Sequence, residues 1–64
     1  MPEHDFNQLR QTVFAAARQD YASGIQRIDE ILQQQQLQLT LEQHIRLQYS
    51  KAEYSYRLNL PNNA

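Results

Sequence analysis

The sequence predicts an all-α protein, and three observations carry that prediction. Apolar and small residues recur at a helical period through the first half of the chain. A capping signal, Thr40 with Gln43 three residues later, opens a second helical stretch. The one alternating segment, Leu37-Gln38-Leu39-Thr40-Leu41, is five residues long with no partner strand, and it makes no sheet.

The first element rests on Phe6, Leu9, Val13, Ala17, Tyr21, Gly24, Ile28, Ile31 and Gln35. Eight steps over 29 residues give a period of about 3.6, that of a straight α-helix. Ile25 and Leu32 widen the stripe, and Asp5 with Gln8 forms a weak capping box at its start. A helix over 5–36 would be about 48 Å long. Arg18-Gln19-Asp20-Tyr21 is the one place where it can break, because Asp20 is a competent N-cap for a new helix. No proline or glycine sits there and the phase runs through, which favours a continuous helix. Gly24, on the apolar stripe, costs helix propensity of about 1 kcal/mol and lets a neighbouring helix approach closely.

The C-terminal element is a helix over 41–59, after a turn at 37–40 and before Pro61-Asn62-Asn63. Glu42 with Arg46 and Glu53 with Arg57 are i,i+4 pairs in the favourable order. The expected fold is therefore a helical hairpin, a long helix over 5–36 and a shorter one over 41–59. The alternative is a three-helix bundle with a break near residue 19. Either way residues 1–64 form one small domain, with residues 1–4 and 60–64 expected to fray.

Composition narrows function by exclusion. Leu, Ile, Val and Phe make up fifteen of 64 residues, enough for a small core but little for the walls of a cleft. Six basic and seven acidic side chains give a net charge of −1, so no basic surface of the kind that neutralises phosphates is expected. Absence of cysteine removes disulfides, a thiolate nucleophile and cysteine-bound zinc, and a reducing cytoplasm is the expected location. The polar, acidic start Met1-Pro2-Glu3-His4-Asp5 is unlike a signal peptide, and no apolar run is long enough to span a membrane.

No set of residues nominates chemistry. His4 and His44 lack further ligands at helical spacing, so no metal is expected. Asp29 and Glu30, adjacent on a helix, point about 100° apart and read as a solvated face rather than a shared-proton dyad. With one glycine there is no phosphate-cradling loop. The expectation is a non-enzyme with no cofactor and no small-molecule substrate.

A partner is expected instead. The C-terminal helix carries two apolar stripes, one of Leu41, Ile45, Tyr49, Ala52 and Tyr56, the other of Leu47, Tyr54 and Leu58 with Lys51 among them. The first helix can cover only one of them. In a hairpin, about 13 residues of the long helix also lack a neighbour, and they carry Phe6, Leu9, Val13 and Phe14. The expected interface is therefore Phe6, Leu9, Val13, Phe14, Leu47, Lys51, Tyr54 and Leu58, and the expected function is protein–protein interaction, in the first place as an antiparallel homodimer. The competing class is a nucleic-acid accessory protein that uses Arg46, Lys51 and Arg57 with Tyr49, Tyr54 and Tyr56.

Two resemblances accompany these readings. Arg18-Gln19-Asp20-Tyr21-Ala22-Ser23-Gly24-Ile25, continuing to Ile28, Ile31 and Leu32, resembles the second half of a tetratricopeptide repeat, where an Asp-Tyr pair begins the second helix and a small residue follows. From Ala16 to Leu60 the chain resembles the YaaL family of short bacterial proteins, through Ala52-Glu53-Tyr54-Ser55-Tyr56-Arg57-Leu58 and an aromatic at Tyr21. That second resemblance implies a bacterial helical hairpin and assigns no catalytic or binding residue.

Overall fold

The computed structural model describes residues 1–60, and the expectation for residues 61–64 lies outside the described residues. The order is α1 (Glu3–Gln19), α2 (Tyr21–Gln34), a 3-10 turn (Gln36–Gln38) and α3 (Leu41–Leu58). The all-α class holds, and of the two expected arrangements the chain adopts the three-helix one. No described helix is long and apolar enough to cross a membrane.

The helix expected over 5–36 ends at Gln19 because Asp20 leaves the helical region, at φ −164° and ψ 156°. What the break loses in helical hydrogen bonding, Asp20 returns as a cap. Ser23 donates its backbone N–H to Asp20 Oδ1 at 2.7 Å and its hydroxyl to Oδ2 at 3.1 Å. The carboxylate also faces the positive end of the α2 dipole. One extended residue is enough to turn the chain back on itself. The periodicity ran through unbroken because a single-residue link keeps both stripes aimed at one core. It reported which residues face inward, not whether the axis turns.

α2 is the middle element, with α1 packed antiparallel on one side and α3 on the other. Phe6 and Val13 of α1, Ile28 and Ile31 of α2 and Leu47 of α3 form the buried core. Met1, Leu9, Leu32, Leu39 and Tyr54 pack around it, half-buried. Gly24 lies against Ala17 of α1 and beside the Tyr54 ring of α3. A Cβ there would stand 2.9 Å from the Ala17 Cβ and 3.4 Å from Tyr54 Cδ2. The bare backbone at this position sets the spacing of α1 and α3 about α2.

Residues 1–4, expected to fray, make contacts with the rest of the chain. α1 starts at Glu3, the Met1 ammonium donates to the Gln38 carbonyl, and Gln43 Nε2 donates to the Met1 carbonyl at 2.7 Å. Gln43 is the buried polar side chain among the described residues, and its amide is used at both ends. Its Oε1 accepts from the Thr40 N–H at 3.0 Å, while its own N–H donates to Thr40 Oγ1 at 3.1 Å, completing the capping box of α3. Replacing it leaves both Thr40 N–H and the Met1 carbonyl unpartnered in a half-buried setting. Gln43→Ala is expected to lower unfolding stability by about 1–2 kcal/mol, read as a lower urea midpoint at unchanged slope.

Candidate interaction surface

The rotation of α3 about its own axis decides which of its two stripes meets the rest of the chain. Successive side chains on a helix are 100° apart, so Gln43, Leu47 and Tyr54 share one face, and Leu41, Ile45, Tyr49, Ala52 and Tyr56 share the opposite one. The first face is inward. Leu47 is buried in the core, Gln43 reaches Met1, and the Tyr54 ring stacks on Tyr21 with centroids 5.7 Å apart and planes 23° from parallel. Burial pushes the Tyr54 phenol above its ordinary value, and the neighbouring Glu53 carboxylate adds to that.

Polar contacts lock this rotation. Lys51 Nζ meets Asp29 Oδ1 of α2 at 2.7 Å, and Arg46 reaches Glu3 of α1 at 3.5 Å. Both pairs are partly exposed and each contributes little to stability. Their value here is directional, since turning α3 by half a revolution would carry both cations away from their partners.

The residues expected as a partner interface therefore divide. Phe6, Val13 and Leu47 lie in the core, Leu9 and Tyr54 pack half-buried against it, and Lys51 is held by Asp29. The first five face the protein's own interior, and Lys51, itself partly exposed, is turned towards α2. The cause is the turn at Asp20, which lets α1 fold back and supply the neighbours that a continuous helix would have lacked. Phe14 and Leu58 remain exposed. Phe14 lies on the outer side of α1 under the Arg10 guanidinium, 5.3 Å from its ring centroid, a cation–π contact that partly covers it. Beside it, Gln11, Phe14, Ala15 and Arg18 line a shallow depression.

The uncovered apolar surface is the other stripe of α3. Leu41 is 77% exposed, Ile45 56%, Tyr49 73% and Tyr56 69%, with the exposed Ala52 between the two tyrosines. From Leu41 to Tyr56 the stripe runs about 22 Å along the helix. Leu37, in the turn before α3, and Leu60, just after it, are exposed as well. Two ion pairs border one flank, Arg46 to Glu42 at 2.7 Å and Arg57 to Glu53 at 2.9 Å. The opposite flank carries the uncharged Gln48 and Ser55. Sequence reasoning found both stripes and expected the Leu47–Tyr54 stripe to be the uncovered one, whereas it is the one turned inward. The missing signal was that Gln43 and Ser50, polar in the sequence, lie on the inward side.

The three cations of the nucleic-acid alternative are each engaged by a carboxylate: Arg46 by Glu42 and Glu3, Lys51 by Asp29, Arg57 by Glu53. Tyr49 and Tyr56 face out while Tyr54 is packed on Tyr21. No family model, no characterised protein and no solved structure matches the chain.

Proposed function

We propose that this protein is a non-catalytic interaction module that self-associates through the outer face of α3. The observation that supports this reading most is the stripe of Leu41, Ile45, Tyr49 and Tyr56, each more than half exposed on one helix face. Single apolar residues on a surface are ordinary, but four large ones aligned along one helix form a contiguous patch of the kind that marks contact sites. The helix beneath is anchored by its capping box and by the core, so the patch is presented on a rigid support. Rigidity matters because little side-chain and backbone freedom remains to be lost on docking.

A nucleic-acid role finds less support. Phosphate binding needs cations that are free to replace counterions, and here Arg46, Lys51 and Arg57 already face carboxylates.

The test is the molar mass in solution as a function of concentration. The unmodified chain is expected to rise above 7.6 kDa towards twice that value as concentration approaches about 500 µM. The Ile45→Glu/Tyr49→Glu variant is expected to stay at the monomer mass with unchanged helicity, since neither side chain contributes to the core. A variant that associates as the parent does would overturn the assignment of the face.

A further inference from the structure

The stripe on α3 has an internal pattern that bears on how two copies meet. Ile45, Tyr49, Ala52 and Tyr56 follow one another at steps of four, three and four residues. That alternation is the seam of a two-stranded coiled coil, in which each residue inserts between residues of the facing helix. The seam is also asymmetric in bulk, with large side chains at three positions and a methyl group at Ala52. Beside it, Arg46 and Glu53 occupy equivalent places on one flank, seven residues apart, and Gln48 and Ser55 do so on the other.

Resting on the self-association proposed above, we infer that the two α3 helices pair antiparallel in a single register. Tyr49 of each copy packs over Ala52 of the other, and Ile45 over Tyr56. A twofold axis then passes through the seam between Tyr49 and Ala52, so every contact occurs twice and the interface closes on itself. In this register the Glu42–Arg46 pair of one copy lies alongside the Glu53–Arg57 pair of the other on one flank, so that Arg46 and Glu53 each keep their own partner and gain a second oppositely charged neighbour, again twice. Gln48 faces Ser55 across the other flank, a pair that can hydrogen-bond without charge.

The parallel alternative lacks this fit. In-register parallel helices place Tyr49 against Tyr49 and Ala52 against Ala52, crowding one layer and leaving a void in the next. Arg46 would then lie beside Leu41 of the second copy, and Glu53 beside Gln48, with no charge compensated across the interface. Large-on-small packing and opposite charges both favour the antiparallel order, and they do so independently. Arg46 and Glu53 are thus the residues that specify orientation.

Site-directed cross-linking tests this in a chain that has no cysteine of its own. Arg46→Cys and Glu53→Cys are made separately, leaving the apolar seam intact, and treated with a short bismaleimide. Antiparallel pairing predicts little linked dimer from either variant alone and a strong linked dimer from their mixture. Sedimentation of both variants before treatment shows whether they still associate. Associated samples in which the mixture links no better than each variant alone would overturn the register and leave self-association standing. Chains that remain monomeric, unmodified protein included, would overturn both. A charge exchange gives a second check: Arg46→Glu and Glu53→Arg are each expected to weaken the dimer severalfold, and an equimolar mixture of the two to hold more dimer than either variant alone at the same total concentration; a mixture no more dimeric than the separate variants would overturn the register.

Discussion

Phe6→Ala is expected to leave the protein largely unfolded at room temperature. Phe6 has no exposed surface, and its ring fills the space between α1, α2 and α3 together with Val13, Ile28, Ile31 and Leu47. Removing a buried phenylalanine side chain costs about 3–5 kcal/mol, from lost burial and from the cavity that remains. A 64-residue domain has only about 3–10 kcal/mol in hand. Loss of helical circular dichroism at 25 °C, or a thermal midpoint lowered by tens of degrees, is the expected readout. The prediction discriminates between two placements of this residue. Had Phe6 projected from an unpaired helix end, its removal would have changed stability by no more than about 0.5 kcal/mol.

Gly24→Val is expected to destabilise the protein by a further mechanism, over-packing rather than cavity formation. The added Cβ alone would stand 2.9 Å from the Ala17 Cβ, closer than such carbons approach one another, and a tight 3.2 Å from the Ala17 Cα. The Ala17 backbone is part of α1 and cannot turn aside as the end of a flexible side chain would. Two further methyl groups then force α1 or the Tyr54 ring outward, at a cost of about 1–3 kcal/mol net of the better helix propensity. Gly24→Ala is expected to show the same conflict in milder form, and adding Ala17→Gly should recover part of the loss. Chemical denaturation of the single and double variants reads the coupling directly.

The local grammar of the chain was plain in its residues. The Thr40–Gln43 capping box, the bounds of α3 to within a residue, the Glu42–Arg46 and Glu53–Arg57 pairs and the close approach at Gly24 all follow from spacing and residue type. Asp20 was identified as the one competent break, yet periodicity weighed against it, because a one-residue link leaves the phase of an apolar pattern unchanged. From that single turn the larger differences follow. With α1 folded back, Phe6 and Val13 meet Ile28 and Ile31 and cease to be an open surface.

The face of α3 was harder to read for a different reason. Its more polar side turns inward because Gln43 finds the Met1 carbonyl, 42 residues away, while Lys51 finds Asp29 and Tyr54 finds Tyr21. Each contact depends on the tertiary arrangement and leaves no trace in local pattern. A buried glutamine with both ends of its amide satisfied loses little by burial, so counting apolar residues favours the wrong face. The more apolar side is then left for solvent or for another molecule.

The direct measurement is sedimentation equilibrium of the unmodified chain beside Ile45→Glu/Tyr49→Glu over a range reaching about 500 µM. Self-association through the outer face of α3 predicts a parent mass that climbs from 7.6 kDa towards its double, while the variant stays at 7.6 kDa and equally helical. A parent mass fixed at 7.6 kDa across the whole range would contradict it.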